Sequence, residues 1–252
     1  MSMSEQLETI ASNFTNTAAE VTEILDRVTN GGIDEKRYNE LKAQINKTPP
    51  NRLYSKKYGM LGDSYVNNSN DDGSPHAYEV VAIRNSMQYF DYGIPGNTLA
   101  RKGDGSTNWD TNAMVVRYVN MNDNLDYIGF EGGTNDQNRG IPVGELTDST
   151  AFTFCGALNI LCEGLLKKYV GKKVFGVTRF NVNDASLTFI DAFESVCQRW
   201  SIPCLSGRRN EVYMRIPEFR AKYSNTAGDV SHFNKLGHEY FAERLESFML
   251  GL

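Results

Sequence analysis

The spacing of apolar positions changes partway along this chain. In the first fifty residues it is heptad-like. Leu7, Phe14, Val21 and Val28 fall seven apart, and Ile10, Thr17 and Ile24 lie three after the first three of them. An a/d stripe over about three heptads is the shortest run that reads as a coiled coil. Gly31-Gly32 ends it. Asp34–Asn46 then predicts a second helix with Tyr38, Leu41 and Ile45 on one face, and Thr48-Pro49-Pro50-Asn51 reads as a linker. Two arrangements stay open for this arm. It packs as a hairpin on the domain's own surface, or it is a stalk that makes a homo-oligomer through residues 5–29. Isolated helices of this length are marginal without a partner. The pattern does not separate a dimer from a trimer.

From Ser55 onward, short apolar runs alternate with helical stretches. Expected strands are Lys57–Leu61, Tyr89–Ile94, Leu125–Phe130, Val174–Phe180 and Ile202–Leu205. The first expected helix is Pro75–Met87, with Ser74 as N-cap and Pro75 at the first helical position. The others are Asn112–Met121, Ser149–Tyr169, Ala185–Trp200 and Lys235–Met249. Phe152, Leu158, Leu161 and Leu165 are expected on the inner side of the third helix, and Phe189, Phe193 and Val196 on that of the fourth. Five strands alternating with helices imply an α/β domain over residues 51–252, its parallel sheet covered on both faces and joined by right-handed crossovers. The helical arm occupies residues 1–50. Long loops, Asn97–Thr111, Thr134–Asp148 and Gly207–Gly228, are placed where functional loops belong.

Composition narrows the partners. The 252 residues are 40% hydrophobic, enough for one large domain with a real core, with or without an extension. A net charge of −5 argues against non-specific nucleic-acid binding, which depends on Lys and Arg contacts to phosphates. No uninterrupted apolar run reaches the ~18 residues of a transmembrane segment. Met1–Glu8 is polar, without the apolar stretch of a signal peptide. The cysteines, Cys155, Cys162, Cys197 and Cys204, form no C-x-x-C, so no zinc or redox motif is expected. Cys155 and Cys162 lie ~10 Å apart along one helix, beyond disulfide reach, and read as buried free thiols. Neither a metal nor a cofactor is called for.

Candidate chemistry centres on Gly62-Asp63-Ser64-Tyr65, where the first strand ends and a turn begins. Ligands bind at that carboxyl edge in open α/β sheets, and a serine there can be an exposed nucleophile. The same residue types also suit a plain turn. Of three histidines, His76 opens a helix and is expected to be solvated, and His238 lies inside the closing helix as a packed residue. His232 follows Asp229 by three. In one turn that spacing lets the carboxylate bond the ring Nδ1–H and leaves Nε2 free as a base, although Asp229 could equally cap a helix. Gly96 follows the second strand, and Gly133-Thr134-Asn135-Asp136 the third. A glycine lets a backbone N–H approach a ligand closely, and an asparagine amide is a neutral donor suited to a developing oxyanion.

These four blocks, in this order, resemble those of the SGNH/GDSL hydrolases from about Lys57 to the carboxyl terminus. The resemblance implies a flavodoxin-like three-layer sandwich with five parallel strands. It implies a carboxylester hydrolase with Ser64 as nucleophile, His232 as base and Asp229 as orienting acid. The oxyanion donors would be the Ser64 and Gly96 peptide N–H groups and the Asn135 side chain. The chain departs from the pattern in its last block, Asp-Val-Ser-His-Phe-Asn, where the family often has glycine after the acid and proline after the histidine. Asn67–Ser74 is unusually polar. The Gly-x-Ser-x-Gly elbow is absent, with Val66 at its second glycine. The arm has no counterpart in the family core. Joined to such a domain it resembles proteins that display an esterase on a virion tail or cell surface, while a cytoplasmic location stays open.

The loops expected to rim the cleft are polar and aromatic, with Arg101, Trp109, Arg139 and Tyr223 as candidate substrate contacts beside Asn108, Arg208, Arg209 and Tyr213. A lipase should show a broader apolar rim. The expected substrate is therefore an ester, specifically an acylated and above all acetylated carbohydrate. Two rivals remain: a non-catalytic carbohydrate-binding module on an oligomeric stalk, and a lysophospholipase or thioesterase of the same fold.

Overall fold

The computed structural model describes residues 51–67, 74–226 and 228–252. The heptad stripe, the second helix, most of the linker and most of the polar stretch after Asn67 lie outside the described residues. Two compact units are present. In the smaller, residues 51–56 meet Ala82–Gln88: Asn51 Nδ2 donates to Asn85 Oδ1 at 2.7 Å, Ser55 N to Asn85 O at 3.3 Å, and Gln88 N to Lys56 O at 2.9 Å. The larger unit, residues 57–81 and Tyr89–Leu252, carries the sheet and the candidate site.

The sheet has five strands, β1 (Lys57–Gly62), β2 (Gln88–Gly93), β3 (Tyr127–Gly132), β4 (Lys173–Thr178) and β5 (Cys204–Leu205), in the order β2-β1-β3-β4-β5. The pairs β1–β3, β3–β4 and β4–β5 are parallel, with Leu61 opposite Phe130 and Phe130 opposite Gly176. Side chains alternate across a strand, so this register sorts the core into two faces. Leu61, Ile128, Phe130 and Val174 join one cluster with Leu158, Leu161, Leu165, Phe189 and Phe193. Tyr58 and Phe175 face the other way, where Phe175 meets Phe248 at 5.8 Å between ring centroids. β1, β3 and β4 are buried along nearly their whole length, and strands buried on both faces read as near-continuous apolar runs; the edge strand β2 is exposed or half-buried throughout. The order reverses between β1 and β3. In doubly wound sheets a crevice opens at that point, beyond the carboxyl ends of the strands.

The helices are α1 (Ala77–Arg84), α2 (Met114–Arg117), α3 (Thr134–Asn138), α4 (Phe154–Lys168), α5 (Asp184–Arg199), α6 (Pro217–Tyr223) and α7 (Lys235–Leu250). Several begin elsewhere than expected, and local hydrogen bonds explain why. At the start of α1, Ala77 N donates to His238 Nδ1 at 3.2 Å, so a distant histidine takes the place of Ser74 as cap and Pro75 stays outside the helix. Thr153, not Ser149, caps α4: its Oγ1 accepts from Gly156 N, and Phe152 is left 45% exposed instead of facing the core. Asn183 and Ser186 form a reciprocal capping box that starts α5. The helix expected over Asn112–Met121 is reduced to α2 and a 3-10 turn (Tyr118–Asn120), and a π-turn (Thr107–Thr111) precedes it in the stretch expected to be loop. The short helices α3 and α6 lie within stretches expected to be loop. All four cysteines are free thiols, and three of them are buried. Among the described residues no helix is long and apolar enough to cross a membrane.

Candidate active site

Ser64 stands two residues beyond β1, half-buried in a turn closed by Val66 N and Asn67 N donating to Asp63 O at 3.2 and 3.1 Å. Its Oγ lies 3.0 Å from His232 Nε2. His232 Nδ1 lies 3.1 Å from Asp229 Oδ2. The other Asp229 oxygen accepts from the peptide N–H groups of Ser231 at 2.7 Å and His232 at 3.0 Å. The aspartate thus closes its own turn and caps no helix. The cap of α7 is Asn234, whose Oδ1 accepts from Gly237 N at 3.0 Å. Asn234 Nδ2 also donates to Lys222 O and Ser224 O at 2.9 and 3.0 Å, tying the histidine turn to the end of α6. Tyr65 stacks on the His232 ring at 5.7 Å and is itself braced edge-on by Phe180 at 5.2 Å. Residues 168 apart are thereby brought into one hydrogen-bonded line, with the base held in a fixed plane.

At the other candidate positions, Gly96 sits with φ +75 in the turn after β2, and its carbonyl accepts from Trp109 Nε1 at 3.2 Å. Neither the Ser64 nor the Gly96 peptide N–H is spent on a hydrogen bond among the described residues. Asn135 opens α3 next to Gly133, whose φ of +111 only glycine adopts without strain. The Asn135 Nδ2 group donates to Asp63 Oδ2 at 2.8 Å and to Asn97 O at 3.0 Å, so both of its hydrogens are already engaged. Trp109 lies beside Gly96 and brings Arg139 with it, while Arg101 meets Asp110 and the Phe152 ring. The Arg139 guanidinium lies 4.1 Å from the centre of the Trp109 ring, and Arg101 pairs with Asp110 at 3.4 Å. Tyr223 ends α6, where its carbonyl accepts from Asn234 N at 2.9 Å, and its ring lies in an aromatic cluster with Phe219 and Tyr240 at 4.7 and 4.8 Å.

Several residues around the site had no role in the sequence reading. Asp136 accepts from Leu99 N and Ala100 N at 3.0 and 2.9 Å and pins the loop after β2; burial pushes its carboxyl up to about 6. Arg117 joins the ends of β1 and β2, donating to Gly62 O at 2.6 Å and to Tyr92 O. Asp63 is fully buried and accepts from Tyr65 N at 3.0 Å. Asp63 and Asp136 stood inside the quoted motifs, the only signal available; Arg117 gave none. His76, expected to be solvated, is 5% exposed: its Nδ1 bonds Tyr65 O at 3.1 Å and its ring stacks on His238 at 4.2 Å.

A Ser-His-Asp line at the switch point of a 2-1-3-4-5 sheet defines a class of α/β hydrolase folds. The particular one is that of the SGNH/GDSL hydrolases, and comparison with solved structures shows it. A protein from Lactobacillus plantarum is 26% identical with a TM-score of 0.69, the match covering 79% of this chain and 98% of that one. A chain described as a GDSL-like lipase, from Bacteroides ovatus, is 18% identical with a TM-score of 0.59, covering 78% of this chain and 99% of its own. A carbohydrate acetylesterase family member from Sinorhizobium meliloti is 16% identical with a TM-score of 0.50, covering 78% and 100%. No protein-family model and no curated protein matches the chain.

Proposed function

We propose that this protein is a serine esterase that removes small acyl groups, acetyl above all, from a carbohydrate. The observation that carries the reading is the continuous line from Ser64 Oγ to His232 Nε2 at 3.0 Å and from His232 Nδ1 to Asp229 Oδ2 at 3.1 Å. Ser64 attacks the ester carbonyl while His232 takes its proton, and Asp229 keeps the ring in the tautomer that can accept it. The free Ser64 and Gly96 peptide N–H groups supply the fixed donors to the tetrahedral oxyanion. Asn135 joins them by exchanging the Asn97 carbonyl for the oxyanion. His232 then protonates the leaving alcohol, and water repeats the cycle on the acyl-enzyme.

The carbohydrate reading rests on the polar and aromatic rim beside Gly96, where Trp109 donates its indole N–H to the Gly96 carbonyl and its ring is met by Arg139 and Lys102 at 4.1 and 4.8 Å. A second reading, a lysophospholipase or thioesterase, draws on Val230 and Leu236, which flank His232 with 37% and 53% exposure. The Bacteroides ovatus GDSL-like lipase and the Sinorhizobium meliloti carbohydrate acetylesterase family member fit one reading each. The test is labelling with an organophosphonate and hydrolysis of nitrophenyl esters and acetylated glycans, each against Ser64→Ala. Label on Ser64 and activity lost in Ser64→Ala, with an unchanged melting temperature, are expected. Activity within tenfold of wild type in that variant would sink the assignment. Faster hydrolysis of long-chain esters than of acetyl esters would favour the second reading.

A further inference from the structure

Beneath the triad lies a carboxyl group that this reaction does not use. Glu131 is the fifth residue of β3 and is 1% exposed. The register of Leu61 on Phe130 sets Gly62 beside it on β1. A side-chain carbon at Gly62 would run into Val66 Cγ2 and stand 3.0 Å from Glu131 Oε2, so the bare glycine leaves room for the Val66 side chain and this carboxyl together. Neither Glu131 oxygen completes a hydrogen bond of good geometry among the described residues, although the Asp63 peptide N–H lies near enough to favour the charged form. A buried carboxylate so placed is costly.

Its neighbour is a second buried carboxyl, Asp63. The two differ in their partners: Asp63 accepts from Tyr65 N at 3.0 Å and from Asn135 Nδ2 at 2.8 Å. Two carboxylates in one dry site do not both ionise, and the charge settles where donors are already aimed. That leaves the proton on Glu131. Burial pushes the Glu131 carboxyl well up, and the adjacent Asp63 charge pushes it further. Asp63 and Tyr65 from the turn after β1, Tyr78 from α1 and Arg179 after β4 are the titratable and charged groups facing it; Arg179 pulls it the other way.

We propose that Glu131 is a positioning residue: a neutral carboxylic acid that donates its proton to Asp63 and thereby holds Asp63 toward Asn135 and the Ser64 turn. Its purpose rests on the esterase reading; its protonation does not. In infrared spectra of the full-length protein at about pH 8, far above the ordinary glutamate range, a protonated-carboxyl C=O stretch is expected that Glu131→Gln removes. That readout needs no substrate. Glu131→Gln, which keeps a donor toward Asp63, should hold kcat within about threefold, whereas Glu131→Met, of equal length with no donor, should lose roughly tenfold or more in kcat with little change in KM. Wild-type kcat/KM should also fall at alkaline pH as Glu131 ionises beside Asp63, and Glu131→Gln should lack that fall. Absence of the band, or Gln and Met variants with equal kcat, overturns the proposal. If Glu131→Met does not fold, the band and the alkaline limb of Glu131→Gln still decide. A band in a protein that hydrolyses no ester overturns the esterase reading while upholding the protonated acid.

Discussion

Asp136 shows what a single buried side chain does here. Each of its oxygens takes one peptide N–H, from Leu99 and from Ala100, so the loop after β2 is tied to the start of α3. Asparagine offers one acceptor in place of two, and a peptide N–H left facing its amide costs about 1–3 kcal/mol. Because the folded carboxyl titrates above its ordinary range, near 6, the stability it carries is full below the unfolded value and is lost as pH rises through about 6. Asp136→Asn has nothing to titrate there. Melting curves across that interval should show wild type most ahead of the variant at the acidic end, with the gap narrowing as pH rises. A gap that is constant, or that grows with pH, would refute the burial argument. Residue chemistry of this kind was legible only in part. The turn at Ser64 and the Asp229–His232 contact could be read because both are local, set by a turn and a spacing of three. Asp63, Glu131 and Arg117 act through groups far along the chain, and nothing in their own surroundings in sequence announces the partner.

Among elements, the strands were legible to within about two residues: burial on both faces leaves β1, β3 and β4 largely apolar, while the edge strand β2, exposed or half-buried throughout, is marked by its aromatic residues and by the Pro95-Gly96 that follows it. Helix starts were less so, since the caps of α1 and α4 come from tertiary contacts and from Thr153 rather than from the nearest turn residues. The stretch around Arg117 departs furthest. Its guanidinium donates through Nε to Asn97 Oδ1 at 3.0 Å and Asn112 O at 2.9 Å, and through its outer nitrogens to Gly62 O and Tyr92 O. Arg117 is the last residue of α2, which is only four residues long. Burial lowers the guanidinium to about 10, still charged at neutral pH. One planar fork thus holds the ends of β1 and β2, and with them the turns carrying Ser64 and Gly96. A lysine has one nitrogen and cannot span these acceptors. Arg117→Lys should lose about 1–3 kcal/mol, seen as a melting temperature lower by several degrees. It should also lower kcat, since both turns lose their common anchor. A variant that melts lower yet keeps full kcat would make Arg117 a strut for the fold alone.

At the scale of the molecule, the question left by the sequence is what residues 1–50 add. The matched Lactobacillus plantarum structure is covered almost end to end by 79% of this chain, about the share that residues 51–252 make up. We propose that residues 51–252 form an independent unit. Sharing a seam between copies would bury the heptad stripe of Leu7, Phe14, Val21 and Val28, and single helices of that length gain their stability from such a partner. We propose that the arm oligomerises the protein and leaves the chemistry to the domain. Deleting residues 1–50 and stopping there keeps Asn51, which is bonded to Asn85 in the smaller unit. The truncated protein should retain kcat and KM on a small soluble ester, because the Ser64–His232–Asp229 line lies wholly within residues 64–232. Its mass by light scattering should drop to that of a single copy while the full chain scatters as an oligomer. On a multivalent acetylated polysaccharide the full chain should bind more tightly than the truncated one, since linked sites raise effective concentration without any new contact. Equal numbers of copies per particle before and after truncation would overturn the stalk and favour a hairpin that packs on its own domain; a melting temperature that falls on truncation would add weight to that alternative.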